Sequence, residues 1–464
     1  MEITHDTIAA IATPPGTGGI AVIRLSGPQA LSILGKIWTG AAPENFTPRT
    51  VHLGTISNTH GTPIDQTVAT FFKAPGSFTG EDTIEISCHG STLIQRQILH
   101  AMISAGARAA QPGEFTQRAF LNGRIDLTQA EAIADLIAAS SQAAHDIALA
   151  QTKGIFSDEL ANLRNQLLEL TTLLELELDF SEEDIRFADR KHLLTLTKRI
   201  HDRLTRLTDS YASGNAMRQG IAIAIAGAPN TGKSTLLNRL SDDDKAIVSD
   251  LPGTTRDTIE ATATINGLSL RFIDTAGIRP TDDQIENLGI QRAIEQLRRA
   301  DFILWLIDPT HPLESQHTLL QTHIETLRET PHLILITKAD ISEITADQIL
   351  HATFFRSLPK TVILQISALT GQGIPNVINH ITETFTNTYN PRQETVIANA
   401  RHYEALNLAL QSIGRVKEGL ETGYTADMIS ADLRDTISHL GVITGAITTP
   451  EILSTIFSRF CIGK

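Results

Sequence analysis

The spacing of apolar positions changes along the chain, and its first part is typical of short strands. Apolar runs closed by Gly, Ser or Pro, in GIAVIRLSG, TVATFFKAPG and DTIEISCHG, predict β-strands. A helical spacing follows in STLIQRQILHAMISAG, and Gly106 is a typical residue for the end of such a helix. We therefore predict a small N-terminal α+β domain over residues 1–119.

A pattern rich in Ala and Leu at helical spacing comes next. It runs through TQAEAIADLIAASSQAAHDIALAQ, DELANLRNQLLELTTLLELELDF and RKHLLTLTKRIHDRLTRLTDSY, and it predicts a helical bundle over residues 120–215. The same spacing returns in ARHYEALNLALQSI and continues towards residue 464. We predict that residues 383–464 are the second part of that helical domain.

Apolar strands alternate with helices between these two helical parts, over residues 216–382. The predicted strands lie in IAIAIAG, LSLRFID, DFILWLID, HLILITKAD and TVILQISAL. Such alternation predicts a parallel sheet with helices on both faces. The predicted fold class is therefore multidomain α+β and α/β, with the α/β domain inserted into the helical domain.

Length and composition limit the function classes. The chain has 464 residues, a formal net charge of -14 and 41% hydrophobic residues, which predicts about two to four globular domains. A chain this acidic is not a general nucleic-acid coat, although a local basic patch can still contact RNA. We find no signal peptide and no apolar run near the ~18 residues that span a bilayer, so we predict a cytoplasmic protein with reduced thiols and no membrane partner.

The segment GAPNTGKS, Gly227–Ser234, follows a predicted strand and opens a predicted helix. Its glycines allow backbone N–H groups to curl around phosphates at a helix N-terminus. Lys233 can supply a point charge to the β- and γ-phosphates, and the Ser234 hydroxyl can ligate Mg²⁺. The segment therefore predicts a phosphate loop for a nucleoside triphosphate.

Further motifs, in the order typical of GTPases, indicate guanine nucleotide. In DTAG, Asp274 can hold the Mg²⁺ shell and the Gly277 N–H can meet the γ-phosphate. In TKAD, the Asp340 carboxylate can accept hydrogen bonds from guanine N1–H and the 2-amino group, a pair of donors that adenine lacks. SAL, Ser367–Leu369, fits the loop that contacts guanine O6, and GTTRD supplies a threonine for Mg²⁺, which we assign to Thr255. These motifs predict a P-loop GTPase domain with a Ras-like parallel sheet.

The predicted GTP-binding residues follow these motifs. They are Gly227, Asn230, Thr231, Gly232, Lys233, Ser234, Thr235, Ser249, Thr254, Thr255, Asp274, Gly277, Thr337, Lys338, Asp340, Ser367 and Ala368.

Hydrolysis of GTP needs a group that DTAG does not supply here. Many GTPases place Gln directly after the DTAG glycine, where it orients the attacking water, but this chain has Ile278. Either hydrolysis is slow, or another group assists it. Asn230 in the phosphate loop and the carbonyl-rich SDLPGTT indicate a monovalent cation beside the phosphates. Such an ion would supply the charge that an arginine finger gives elsewhere.

SRFCIGK, at the end of the sequence, contains Cys461, one of only two cysteines. Gly463 and Lys464 do not fit a prenylation tail, and two cysteines do not make a disulfide framework. Two interpretations remain. Cys461 is a small buried residue at a helix end, or it is a binding group or candidate catalytic nucleophile brought to a site elsewhere in the fold.

Taken together, these segments resemble the MnmE (TrmE) family of tRNA-modification GTPases over the whole chain. The resemblance rests on TPPGTGGIAVIRLSG, SFTGEDTIEISCHG, PGEFTQRAFLNGRIDLTQAEAIADLI, the GTPase motifs and the final CIGK, which generic GTPases lack. It implies GTP hydrolysis assisted by potassium and Mg²⁺, and a homodimer formed through the N-terminal domain. It also implies a heterotetramer with the FAD enzyme MnmG (GidA).

The implied reaction is a carboxymethylaminomethyl-type addition at C5 of the wobble uridine of certain tRNAs. The implied carbon donor is a folate of the 5-formyl- or 5,10-methylene-tetrahydrofolate type. The alternative function is a switch GTPase in ribosome assembly, which would need neither the N-terminal domain nor CIGK.

The resemblance also implies roles for individual residues. They are the potassium ligands Asn230, Ser249, Leu251 and Thr254, the magnesium ligands Ser234 and Thr255, the catalytic Glu286, and the folate-binding Arg24, Glu85, Arg124 and Lys464. Two departures from the family pattern concern these sites. Arg124 stands where lysine is common, and Thr337 replaces the usual Asn of NKxD, although guanine selection is expected to survive through Asp340.

Overall fold

The computed structural model describes residues 6–179, 190–242, 261–273, 297–342, 361–386, 395–458 and 460–463. The strands are β1 (Ile8–Ile11), β2 (Ile20–Ser26), β3 (Trp38–Gly40), β4 (Val51–Ser57), β5 (Pro63–Phe72), β6 (Thr83–His89), β7 (Arg108–Ala109), β8 (Ile221–Gly227), β9 (Ala261–Ile265), β10 (Leu268–Phe272), β11 (Phe302–Ile307), β12 (His332–Ile336) and β13 (Val362–Gln365).

The helices complete the described secondary structure. They are α1 (Ala30–Ile37), α2 (Thr92–Ser104), α3 (Glu114–Leu121), α4 (Leu127–Ala138), α5 (Gln142–Thr152), α6 (Ile155–Asp179), α7 (Arg190–Asp209), α8 (Tyr211–Gln219), α9 (Lys233–Asp242), α10 (Leu313–Thr322), α11 (Ile324–Glu329), α12 (Ile374–Thr386), α13 (Ala400–Thr422), α14 (Ala426–Thr444) and α15 (Pro450–Phe457).

The chain forms two compact units, each built from segments that are distant in sequence. Unit 1 consists of Met1–Ala134, Gln151–Asp179 and Ser430–Lys464. Unit 2 consists of Asp135–Ala150 and Phe180–Ile429. Each unit contains its own sheet and its own hydrophobic core.

A seven-stranded sheet organises the described part of unit 1, in the order β3-β4-β5-β6-β2-β1-β7. Neighbouring strands are antiparallel, except β1 and β7, which are parallel. On β2, Ala21, Ile23 and Leu25 join the core that α1 and α2 cover. Successive side chains of a strand point to opposite faces, so Arg24 lies on the other face of the sheet.

A smaller core joins α15 to the N-terminal region of unit 1. Leu127 and Ala130 of α4 pack with Leu453 and Phe457 of α15. Gly113, directly before α3, approaches α15 so closely that an added Cβ would lie 2.6 Å from the Phe457 carbonyl oxygen. This packing fixes where the residues after α15 begin.

Unit 2 contains a six-stranded sheet within the described residues, in the order β13-β12-β11-β8-β10-β9. Adjacent strands from β13 to β10 are parallel, but β9 and β10 are antiparallel. The prediction of a parallel sheet is therefore wrong for β9. The connecting residues Asn266 and Gly267 have φ of 50° and 79°, and such a two-residue Asn-Gly turn joins antiparallel strands.

Both faces of the unit 2 sheet are covered, as predicted. All residues of β11 are buried, and they alternate between two cores. Phe302 and Leu304 belong to one core, whereas Ile303 and Trp305 belong to the other. A strand buried on both faces is apolar at every position, which explains the continuous run FILWLI.

Helices α7 and α13 pack along each other in unit 2. At one end Arg190 donates from Nε to the Leu420 carbonyl at 2.8 Å, and at the other Ser210 Oγ accepts from the Ile397 N–H at 3.0 Å. These contacts make the helix pair antiparallel. None of the helices in the described ranges is both long and apolar enough to cross a membrane.

Candidate functional site

The predicted phosphate loop leaves the end of β8 and runs into α9. Gly227 pairs with Leu306 of β11, and an added Cβ would lie 2.5 Å from the Leu306 carbonyl oxygen. Gly227, Asn230 and Gly232 have φ of 142°, 62° and 92°. Glycine adopts such values without a steric penalty, and asparagine tolerates them better than most residues. The backbone therefore makes the sharp turn that a phosphate cradle requires.

Side chains of the loop stabilise that turn. Lys233 donates from Nζ to the carbonyl oxygens of Gly227 at 2.9 Å and Ala228 at 2.7 Å. Thr231 is buried and donates from Oγ1 to the Ala228 carbonyl at 2.9 Å. Burial lowers the pKa of Lys233, because a partly desolvated ammonium lacks water to stabilise its charge. An anion in the loop would supply that stabilisation.

The first turn of α9 carries two more predicted residues. Ser234 is half-buried and Thr235 is exposed. The Leu236 N–H donates to the Gly232 carbonyl at 2.9 Å, which closes the first helical turn. The turn therefore presents the Ser234 hydroxyl directly after Lys233, as Mg²⁺ ligation beside a phosphate requires.

The TKAD segment follows β12, beside the end of β11. The N–H and Oγ1 of the buried Thr337 both donate to the Ile307 carbonyl, at 2.9 and 3.2 Å. The Ala339 N–H donates to the Ile366 carbonyl at 3.0 Å. Asp340 is exposed, so its carboxylate is accessible to a base. The Thr337 hydroxyl thus binds the neighbouring strand, where the more usual Asn would have offered an amide.

Asp308, which the motif analysis missed, lies at the end of β11 and binds Lys338. Its side chain is 1% exposed, and its carboxylate lies 2.6 Å from Lys338 Nζ. Burial raises the pKa of Asp308, but hydrogen bonds from Lys338 and Thr310 outweigh burial, and the pKa is lowered overall. The available signal was an acidic residue directly after a buried parallel strand, the place where α/β sheets bind ligands.

The SAL segment completes this edge of the sheet. Ser367 is buried, its N–H donates to the Gln372 carbonyl at 2.9 Å, and its Oγ accepts from the Thr370 N–H at 3.2 Å. Ala368 is half-buried. Because β8, β11, β12 and β13 are parallel and in register, the loops after them leave one edge, which we call the nucleotide edge.

A second group of predicted residues lies in unit 1. Arg24 of β2 is opposite Glu85 of β6, and its Nε and Nη2 donate to Glu85 Oε1 at 3.0 and 2.7 Å. The rings of Phe78 and Phe115 lie 5.6 and 5.5 Å from the guanidinium carbon. Both aromatic residues were missed by the sequence analysis. Phe115 is fully buried, whereas Phe78 is exposed, so the ion pair and the Phe78 ring together suit a flat, polar heterocycle.

The C-terminal tail contacts the same residues. The Gly463 carbonyl accepts from Arg24 Nη1 at 3.4 Å, and the Cys461 carbonyl accepts from the Gly113 N–H at 3.4 Å. Gly463 has φ of 95°, and an added Cβ would lie 2.3 Å from the Ile11 carbonyl oxygen. We call Arg24, Glu85, Phe78, Phe115 and Gly463 the Arg24 group.

The interpretation of Cys461 as a small buried residue is wrong. Its side chain is exposed, whereas the other cysteine, Cys88, is buried. The physical reason is that the tail is held through its main chain, at the carbonyls of Cys461 and Gly463. The thiol therefore remains at the surface of unit 1.

Arg124 approaches the FTGED segment, which contains Phe78. Its side chain is exposed, and its Cγ would lie 3.1 Å from a Cβ added to Gly80. The neighbouring Asn122 donates from Nδ2 to the Thr79 carbonyl at 2.7 Å. The residues after α3 therefore pack against the FTGED turn.

Two family models match this chain. That of the GTP-binding protein TrmE N-terminus covers residues 7–124, and that of the MnmE helical domain covers residues 127–461. The chain belongs to the MnmE (TrmE) family. The family predicted from the sequence motifs is thus confirmed.

Relatives named tRNA modification GTPase MnmE match the whole chain. The protein of Flavobacterium johnsoniae is 45% identical over 470 residues, which is 100% of both chains. That of Parabacteroides distasonis is 47% identical over 463 residues, which is 99% of this chain and 100% of the relative. That of Bacteroides fragilis is 46% identical over 468 residues, again 100% of both chains.

Several residues to which the GTPase motifs or the family resemblance give roles lie outside the described residues. They are Ser249, Leu251, Thr254, Thr255, Asp274, Gly277, Glu286 and Lys464. Their roles stay predictions.

An ionic network that the sequence analysis missed lies next to the FTGED segment. The buried Arg118 binds Asp6 at 2.6 Å, Glu114 at 3.0 Å and Glu81 at 3.2 Å, and Arg108 also binds Asp6 and Glu114. Burial raises the pKa of Asp6, but hydrogen bonds from Arg108 and Arg118 outweigh burial and lower the pKa to about 2. The network ties β7, α3 and the FTGED turn to Asp6, two residues before β1.

Proposed function

We propose that this chain is a GTP hydrolase that acts in the modification of tRNA. The observation that carries the proposal is its full-length similarity to relatives named tRNA modification GTPase MnmE. The geometry of the phosphate loop and of TKAD at one sheet edge supports the GTPase part. A switch GTPase in ribosome assembly is not favoured, because such a function would not require the Arg24 group.

In this proposal the nucleotide edge holds GTP in a single orientation. The loop Gly227–Ser234 and Lys233 bind the phosphates, and Asp340 accepts hydrogen bonds from the guanine N1–H and 2-amino groups. Ser234, with Thr255, would ligate Mg²⁺, which neutralises phosphate charge when bound. Ser367 and Ala368 belong to the loop beside guanine O6.

We also propose that potassium assists hydrolysis. Asn230 is exposed and has a left-handed backbone, so its side chain lies at the surface of the phosphate loop. It would bind potassium with Ser249, Leu251 and Thr254, and Glu286 would position the attacking water. Equal hydrolysis rates in potassium and sodium at equal ionic strength would remove the potassium proposal. Normal turnover in Glu286→Ala would remove Glu286.

For the Arg24 group, we propose a folate of the 5-formyl- or 5,10-methylene-tetrahydrofolate type. The Glu85 carboxylate can accept paired N–H donors of a pterin, and the exposed ring of Phe78 offers an apolar face. Arg124 and Lys464 would face the polar or anionic parts of the folate. The exposed Cys461 is the candidate nucleophile of this site.

The partners in this proposal are a second copy of the chain, bound through the N-terminal domain, and the FAD enzyme MnmG in a heterotetramer with tRNA. The product would be a carboxymethylaminomethyl-type group at C5 of the wobble uridine. Mass analysis of wobble uridines tests this in a strain without the protein. The modification should disappear and return with the intact gene but not with Lys233→Ala. Unchanged uridines in the deletion strain would refute the proposal.

A further inference from the structure

The carboxylate of Asp308 accepts several hydrogen bonds within a small turn at the nucleotide edge. Its Oδ1 accepts from the Thr310 N–H at 2.9 Å and from Thr310 Oγ1 at 2.7 Å. Its Oδ2 lies 2.9 Å from His311 Nδ1 and 2.6 Å from Lys338 Nζ. Four polar contacts on a carboxylate that is 1% exposed leave it little freedom to rotate.

The main chain of Asp308 is fixed as well. Gln316 of α10 accepts from the Asp308 N–H at 2.9 Å and donates to the Asp308 carbonyl at 2.8 Å. Gln316 is itself buried, so water does not compete with this pair of bonds. The carboxylate is therefore a rigid anchor attached to β11 and α10.

Lys338 is the residue that this anchor holds. Its φ is 58°, a left-handed conformation that costs a lysine about 1–2 kcal/mol. The Ile341 and Ser342 N–H groups both donate to the Lys338 carbonyl, at 3.0 and 3.1 Å. The turn that carries the exposed Asp340 therefore closes on Lys338, and the direction of Asp340 depends on the backbone of Lys338.

No side-chain amide is present to hold this turn at its first position. Thr337 stands there and donates from Oγ1 to the Ile307 carbonyl at 3.2 Å. Residue 337 is thus tied to the end of β11, and Lys338 is tied to the next residue of the same strand end, Asp308.

We propose that Asp308 is a positioning residue for guanine recognition, which acts by holding Lys338 so that Asp340 meets the base. The inference rests on the proposed GTP binding and deepens it. Asp308 does not touch the nucleotide in this account. Its contribution is the orientation of the Asp340 carboxylate towards the guanine N1–H and 2-amino group.

The test compares the affinities of the full-length protein for GDP and inosine diphosphate. Inosine lacks the 2-amino group of guanine. The ratio of the two affinities therefore reports how well the Asp340 carboxylate is oriented towards that group. In Asp308→Asn we expect GDP affinity to fall about tenfold, and the ratio to shrink by about fivefold, because inosine diphosphate loses less. A fall of equal size for both nucleotides would overturn the inference, since it indicates a merely structural role.

A matched control lies at the other end of the same strand. Asp301 directly precedes β11 and accepts from the Ala222 N–H at 2.8 Å. Asp301→Asn should leave the ratio of the two affinities unchanged. A ratio that shrinks equally in Asp301→Asn and Asp308→Asn would overturn the inference, because the effect would then belong to the strand and not to the Lys338 contact.

A double-mutant cycle with Lys338→Met covers the case in which Asp308→Asn folds poorly. If Asp308 acts through Lys338, Lys338→Met alone shrinks the ratio, and adding Asp308→Asn changes it no further. Additive effects would overturn the inference. Failure of the wild-type protein to prefer GDP over ADP would instead refute the proposed GTP binding, so the two failures are distinguishable.

Discussion

The two candidate sites of this molecule are assembled over very different distances along the chain. At the nucleotide edge, Lys233 binds the carbonyl of Gly227, which is 6 residues away. In the Arg24 group, Arg24 binds the carbonyl of Gly463, which is 439 residues away. The first contact belongs to one loop between a strand and a helix. The second depends on the packing of α15 against α4 and Gly113, which brings the tail to this part of unit 1.

The difference shows what each site depends on. The nucleotide edge uses loops that continue the parallel strands β8, β11, β12 and β13, so the sheet itself brings them to one edge. The Arg24 group uses side chains from two strands, a turn and a helix, together with a main-chain carbonyl of the tail. Its geometry therefore depends on the packing of unit 1 as a whole. Single substitutions should therefore affect one site and leave the other intact.

The largest effect is expected from Lys233→Ala. The variant removes the half-buried ammonium of the phosphate loop, and charge-assisted bonds to phosphate are among the strongest, so GTP affinity should fall about 1,000-fold. Folate affinity should not change. The control is Arg206→Ala, which removes an exposed cation of α7 and should leave GTP affinity intact. Titration calorimetry with each ligand measures both, and a parallel loss of folate affinity would contradict the separation of the sites.

Thiol labelling at pH 8 should differ by about 100-fold or more between the two cysteines. Burial, and secondarily the nearby Asp65, raises the pKa of Cys88 to about 11, so little of it is thiolate at this pH. Cys461 is exposed. Iodoacetamide should therefore modify Cys461 first, and Cys461→Ser should abolish the rapid phase. Equal rates in peptide mass analysis would show that the tail does not expose its thiol.

Gly463→Val should weaken folate binding by about tenfold or more and leave GTP affinity unchanged. The added side chain would collide with the Ile11 carbonyl and would also oppose a φ of 95°. Gly35→Ala in α1 is the matched control, because an added Cβ there meets nothing within 4 Å. If Gly463→Val bound folate normally, the tail would not contribute to folate binding.

The smallest effect concerns the acid stability of unit 1. Because the pKa of Asp6 is lowered to about 2, its ion pairs stabilise the protein above the ordinary value of 3.8, and this contribution is lost as pH falls towards 2. With its side chain 35% exposed, screening limits the effect to about 1 kcal/mol. Urea denaturation between pH 6 and 3 should thus show a weaker pH dependence in Asp6→Asn. An identical pH dependence would exclude Asp6 as a contributor.

Sequence reasoning worked where the physical cause is local. The sharp turn between β8 and α9 could be predicted because its glycines and the preceding strand lie within one short segment. The β9–β10 hairpin was missed, although Asn266 and Gly267 carry the local signal for it. Asp308 was missed for another reason. Its carboxylate is of interest only because it binds Lys338, which belongs to a different loop.

The sequence by itself determined the family, the turn between β8 and α9 and the buried strands that precede TKAD and SAL, because each is specified by neighbouring residues and by the alternation of buried strands. Only the tertiary structure decided that Phe78 and Phe115 flank Arg24, that Cys461 is exposed and that Asp308 binds Lys338. Those contacts join residues that are far apart in the sequence, so no pattern within a short segment predicts them. They arise when strand pairing and helix packing bring distant side chains within bonding distance, so they require the folded chain.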